Sequence, residues 1–141
     1  GGTRMMAAGL GDSFFPMSEL SLMGIAEILP HIPHLLNRIN QTVEAIRVFD
    51  PDIVLTIDAP DFCHRVQKKL HAENIRAKRI HMVAPTVWAW RPQRAEKISR
   101  FLNGLLCLYP FEPKFFEQYS LPSKFIGHPV MSMEGVKNAN G

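Results

Sequence analysis

The chain has 141 residues, 46% of them apolar and 21% charged, with a formal net charge of +3. That length suits one domain and not two, and the composition excludes a disordered or low-complexity chain. No apolar run reaches the roughly 18 residues that span a bilayer, and the start has neither the basic opening nor the apolar stretch of a secretion signal.

The basic excess favours anionic partners without separating phospholipid, phosphorylated sugar and nucleic acid. Along the chain, residues 3–10 read as a short helix after Gly1-Gly2, and residues 12–16 as a short extended piece. Between 22 and 36 the apolar residues Leu22, Met23, Ile25, Ala26, Ile28, Leu29, Ile32, Leu35 and Leu36 exceed the single stripe of a surface helix. Pro30 and Pro33 break this run into turns, while Ile32, Leu35, Leu36, Ile39 and Val43 restore helical spacing beyond it. Two readings stand. The side chains are core, or part of the set enters a lipid interface with His34, Arg38 and Arg47 near phosphates.

Residues 51–57, Pro-Asp-Ile-Val-Leu-Thr-Ile, have the β-branched, apolar character of a strand buried on both faces of a parallel sheet. Asp58 follows at its carboxyl end, the edge where open α/β sheets bind ligands. Asp61 comes after Pro60 and before Phe62-Cys63-His64-Arg65-Val66, which predicts an N-cap for a helix over 61–72. Asp58 is therefore the candidate reagent, and Asp61 mainly structural. A strand over 77–84, a helix over 92–101 with Pro92 in its first turn, a strand over 105–109, a helix over 112–119 and a strand over 123–126 follow. The alternation predicts an α/β fold, a mostly parallel sheet with crossover helices. Residues 131–141 have nothing to bury and are expected to fray.

Trp88 and Trp90 fall after the third-from-last strand, on the ligand edge, where an indole can stack on a sugar or uracil ring. One is expected to cover the sheet edge and the other to face ligand. Arg91 and Arg94 can pair with a phosphate, or stand as solvated helix-face cations. Cys63 and Cys107 read as small buried hydrophobes rather than a disulfide or metal pair. His31-Ile32-Pro33-His34 brings two histidines together, but the proline interrupts the helix that would align them and no acid or cysteine lies beside them, so no metal is expected. His128 follows the last strand and is either a cleft residue or a structural histidine. No Gly-x-Ser-x-Gly elbow, Walker loop or complete Gly-x-Gly-x-x-Gly occurs in the sequence.

Four stretches, Leu22-Met23-Gly24-Ile25-Ala26-Glu27-Ile28-Leu29, Ile57-Asp58-Ala59-Pro60-Asp61-Phe62, Pro85-Thr86-Val87-Trp88-Ala89-Trp90-Arg91 and Phe125-Ile126-Gly127-His128-Pro129, together resemble the bacterial lipid-A-disaccharide synthases. Their order and spacing are the family's, and the similarity runs from Gly1 to about Pro129. The resemblance implies an inverting glycosyltransferase of the two-domain GT-B type, with residues 1–130 as part of its N-terminal, Rossmann-like, acceptor-side domain. Such enzymes transfer diacylglucosamine from UDP-2,3-diacylglucosamine to the 6-hydroxyl of 2,3-diacylglucosamine 1-phosphate and release UDP. The family's opening Gly-Glu-x-Ser-Gly-Asp loop and its second, UDP-holding domain have no counterpart in the sequence, so the isolated chain is expected to be inactive.

By the same resemblance Asp58 is the general base, and Asp61, Phe62, Met23, Gly24, Trp88, Trp90, Arg91 and His128 are substrate-binding. Ile25, Ile28, Leu29, Ile32, Leu35 and Leu36 then meet acyl chains and the membrane, which places the protein peripherally on an anionic surface, the cytosolic face of the inner membrane. No cofactor is implied. Two rival readings remain: a non-catalytic Rossmann-like nucleotide-binding module, opposed by the missing glycine-rich loop, and a nucleic-acid-binding domain, opposed by the dispersion of the bases.

Overall fold

Residues 3–9, 11, 15, 32–87 and 93–128 are described by the computed structural model. They belong to two compact units, Gly1–Gln41 and Thr42–Gly141. In the first lies α1 (Thr3–Ala7), closed by a bond from the Gly9 N–H to the Met6 carbonyl at 3.1 Å. Here too the Arg38 guanidinium sits 5.2 Å from the centre of the Phe15 ring. The division between the units falls within α2 (Ile32–Phe49). Pro33 is tolerated there because the first turn has no intrahelical partner for its missing N–H. Along α2 the i, i+4 series Leu35, Ile39, Val43 becomes steadily more buried, while Leu36, off that stripe, is exposed. Apart from Phe15, the predicted extended piece at 12–16 lies outside the described residues, as do residues 22–31 of the 22–36 apolar run and the tail at 131–141.

The second unit is built on β1 (Ile53–Ile57), β2 (Lys78–Met82), β3 (Gly104–Cys107) and β4 (Ser123–Phe125), in that spatial order and all parallel. The crossovers are α3 (Pro60–Ala72), α4 (Gln93–Ser99) and α5 (Lys114–Glu117). Since each strand is followed by its spatial neighbour, crossovers of the usual right hand put the three helices on one face. The expected α/β fold is observed, with boundaries shifted by a few residues. The largest shift is at α5: Pro113 opens it, and Ser120, in the left-handed region at φ +59°, closes the turn after it.

On the helix-covered face, Ala84, Val87, Ala95, Ile98, Phe101, Leu102, Leu105, Cys107, Phe116 and Leu121 form one core, with Phe116 fully buried. Cys63 and Cys107 are free thiols in the interior, and burial pushes them up, to about 11 and about 12. α3 ends in a Schellman motif without glycine: Asn74 takes φ +54°, its N–H meets the His71 carbonyl, and the Ile75 N–H meets that of Leu70, both at 3.0 Å.

The reading of β1 as buried on both faces needs correction. Ile53, Leu55 and Ile57 are exposed, and only Val54 is buried. Among the described residues β1 is an edge strand, and a helix layer covers one face only. An apolar run specifies a strand's composition but not what covers each of its sides.

Candidate active site

Parallel strands deliver their carboxyl ends to one edge, and there the backbone is strained. Asp58 and Ala59 take φ +54° and +42°, and Val83, just past β2, takes φ +79°. Such values cost a non-glycine residue roughly 1–3 kcal/mol each, and for a β-branched residue they are true outliers that cluster at functional sites. The cause is visible in the hydrogen bonds. The Asp58 N–H extends the ladder by donating to the Met82 carbonyl at 3.0 Å, and the chain must then reverse at once into α3. The Ala59 carbonyl accepts from the N–H groups of Phe62 at 3.1 Å and Cys63 at 2.9 Å. Asp58 is left exposed on this turn, and its carboxylate has no hydrogen-bond or ion-pair partner among the described residues.

Asp61 is not the N-cap. That position belongs to Ala59, no side chain caps the helix, and Pro60 opens α3. Asp61 is exposed in the first turn, where its charge faces the helix dipole, and Phe62 beside it is half-buried. Asp61→Ala is therefore expected to cost only about 0.3–1 kcal/mol at low ionic strength, and less as salt is added. Thermal unfolding at two salt concentrations checks this, since a lost cap bond would give a loss indifferent to salt.

Beyond β3 and β4 a second group forms. The Tyr109 ring stacks on Phe111 at 5.7 Å and lies 5.7 Å from His128. Buried Glu112 holds this loop, its Oε2 accepting from the N–H groups of Leu108 and Tyr109, both at 2.9 Å. Gly127, at φ +88°, turns the chain after β4 towards His128. Asp58 and His128 therefore share the edge but stand three strand spacings apart, about 14 Å. Tyr109 and Phe111 were missed in the sequence, although Tyr109-Pro110-Phe111-Glu112 directly after a strand was a usable signal.

Beneath the edge lies a polar core that periodicity did not reveal. The Gln67 Nε2 donates to the Val54 and Ile80 carbonyls, at 3.3 and 3.0 Å, and to Thr56 Oγ1 at 3.0 Å. Thr56 Oγ1 is 2.8 Å from His81 Nδ1, and the His81 ring meets that of His64 edge-on at 4.6 Å. Burial lowers both histidines to about 4, helped at His64 by the Arg94 charge and at His81 by His64. Both therefore stay neutral when folded, whereas in the unfolded chain they protonate near pH ~6.5. Between those values the unfolded state binds more protons, so stability is greatest above about pH 6.5 and declines towards pH 4. Unfolding temperatures across that window should fall more steeply for the native sequence than for His81→Gln; parallel slopes would contradict it.

Of the other sequence candidates, Met23, Gly24, Ile25, Ile28, Leu29, Trp88, Trp90 and Arg91 lie outside the described residues. Ile32 opens α2, Leu35 is half-buried and Leu36 exposed. No three His, Cys, Asp or Glu side chains among the described residues converge on a metal site.

The family model described as lipid-A-disaccharide synthetase matches residues 1–140. Curated relatives named lipid-A-disaccharide synthase include one from Rhodospirillum centenum, 54% identical over 131 residues, covering 93% of this chain and 32% of that protein. One from Rickettsia bellii is 46% identical over 134 residues, covering 95% and 35%. Another, from Granulibacter bethesdensis, is 47% identical over 131 residues, covering 93% and 33%. The chain spans about a third of the length of these relatives. Because that match takes in residues 1–140 of this chain, the chain belongs to the lipid-A-disaccharide synthetase family.

Proposed function

We propose that these residues form the acceptor-side part of a glycosyltransferase of lipid A biosynthesis, with Asp58 as general base. The observation that carries this is an exposed carboxylate without a hydrogen-bond or ion-pair partner among the described residues, held on a strained turn at the carboxyl edge of a parallel sheet. The relatives' name supplies the reaction class. A hydroxyl is a weak nucleophile at neutral pH, so a positioned carboxylate takes its proton as the oxygen bonds to the anomeric carbon. The bond from that carbon to UDP breaks at the opposite face, and its electron pair leaves with UDP. The donor is UDP-2,3-diacylglucosamine and the acceptor the 6-hydroxyl of 2,3-diacylglucosamine 1-phosphate. A full-length synthase carrying these residues should release UDP and form disaccharide from that pair, and should form none with a 6-deoxy acceptor. UDP binding without transfer to any acceptor would favour the non-catalytic nucleotide-binding module instead.

The acyl chains of such substrates call for a lipid-facing surface, which we assign to Ile25, Ile28, Leu29, Ile32, Leu35 and Leu36, working at the cytosolic face of the inner membrane. Among the described residues no helix is long and apolar enough to cross a membrane, and Leu36 is 45% exposed. Leu36→Ser should change stability by less than about 0.5 kcal/mol while weakening co-sedimentation with anionic vesicles. Unchanged vesicle binding would remove Leu36 from that surface.

A further inference from the structure

Between α3 and α4 lies an open cleft of about 540 Å³, the size of a small-ligand site. Its walls carry Arg65 and Lys68 from α3, Arg94 and Lys97 from α4, and Arg100 just beyond α4. Among the described residues no Asp or Glu lines it. Glu96 engages Arg100 at 2.7 Å, while Arg65, Lys68, Arg94 and Lys97 have no carboxylate partner among the described residues. The spacing is i, i+3 on each helix, so each pair projects from one helix face, and the adjacent crossovers set the two pairs opposite one another. Pro85, Ile98 and Phe101 give the cleft an apolar floor, and a low-dielectric wall strengthens each charge interaction above it.

Five cations gathered in one concavity repel one another, and an anion between them relieves this. We propose that the cleft binds a phosphate group, carried either on a phospholipid headgroup or on a soluble phosphate ester. Arginines on both walls offer planar forks that match phosphate oxygens two at a time, and the lysines add point charges. Among the described lining residues the aromatic rings are those of buried Phe101 and of His64 and His71, so a single-stranded nucleic acid finds a sparse stacking platform there. Binding alone reads the site out, so failure of the transferase assignment leaves it testable.

The test uses a full-length synthase carrying these residues. Inorganic phosphate and glucose 1-phosphate are titrated calorimetrically, and vesicles of phosphatidylcholine with and without phosphatidylglycerol are co-sedimented. Lys68→Glu combined with Lys97→Glu should weaken binding by about tenfold or more, with a strong salt dependence. Lys124→Glu, an exposed charge on β4, should have little effect. Arg65→Gln with Arg94→Gln serves as a second pair should the first disturb thermal unfolding. Loss with the soluble phosphates assigns a free ester, and loss with phosphatidylglycerol vesicles alone assigns a headgroup. No binding by the native protein, binding untouched by both double variants, an equal loss in Lys124→Glu, or preferential capture of an oligonucleotide would each overturn the proposal.

Discussion

Asp58→Asn, made in a full-length synthase carrying these residues, is expected to lower kcat by about a hundredfold to ten-thousandfold, the usual cost of removing a positioned general base. Folding should survive. The carboxylate is exposed and engages no partner among the described residues, so the isosteric amide leaves no buried group unsatisfied. The strained turn is held by backbone bonds, from the Asp58 N–H to Met82 and from α3 to the Ala59 carbonyl, and these do not involve the side chain. Asparagine also tolerates the left-handed region well. Steady-state kinetics beside thermal unfolding separate the two effects. A folded variant with near-normal kcat would remove Asp58 from the chemistry.

Phe116→Ala should have the opposite profile, a large loss of stability with no direct effect on the edge. Its ring is fully buried in the core shared with Ile98, Leu102, Leu105 and Leu121. Emptying such a site costs about 3–5 kcal/mol, against a total stability of about 5–15 kcal/mol for a typical domain. A drop in the urea midpoint with an unchanged m-value is the expected result. A shift under about 1 kcal/mol would mean that the core collapses around the gap.

The junction from residue 51 to 72 was legible because three local signals agree there: a β-branched run, a proline at a helix start and an amphipathic segment after it. Asp58 therefore falls at the carboxyl end of β1, as read. The cap at Ala59 was not legible. Its left-handed conformation follows the bond from the preceding Asp58 N–H to Met82, a residue of another strand that no local pattern brings near. The exposed face of β1 was missed for a related reason, since composition does not number the layers packed on a sheet. The Gln67, Thr56 and His81 network required the register Thr56 to His81, and the basic cleft required two helices to become neighbours. Tyr109 and His128 meet only because β3 and β4 end side by side.

The central claim, that Asp58 removes the acceptor proton, is tested most directly by changing how much that proton needs removing. An acceptor with a thiol in place of the 6-hydroxyl ionises near pH ~8.5 and attacks as a thiolate with little help from a base. The kcat ratio of native enzyme to Asp58→Asn should then fall from the hundredfold range towards one. An equally large ratio with hydroxyl and thiol acceptors would contradict a general-base role and leave Asp58 a positioning residue.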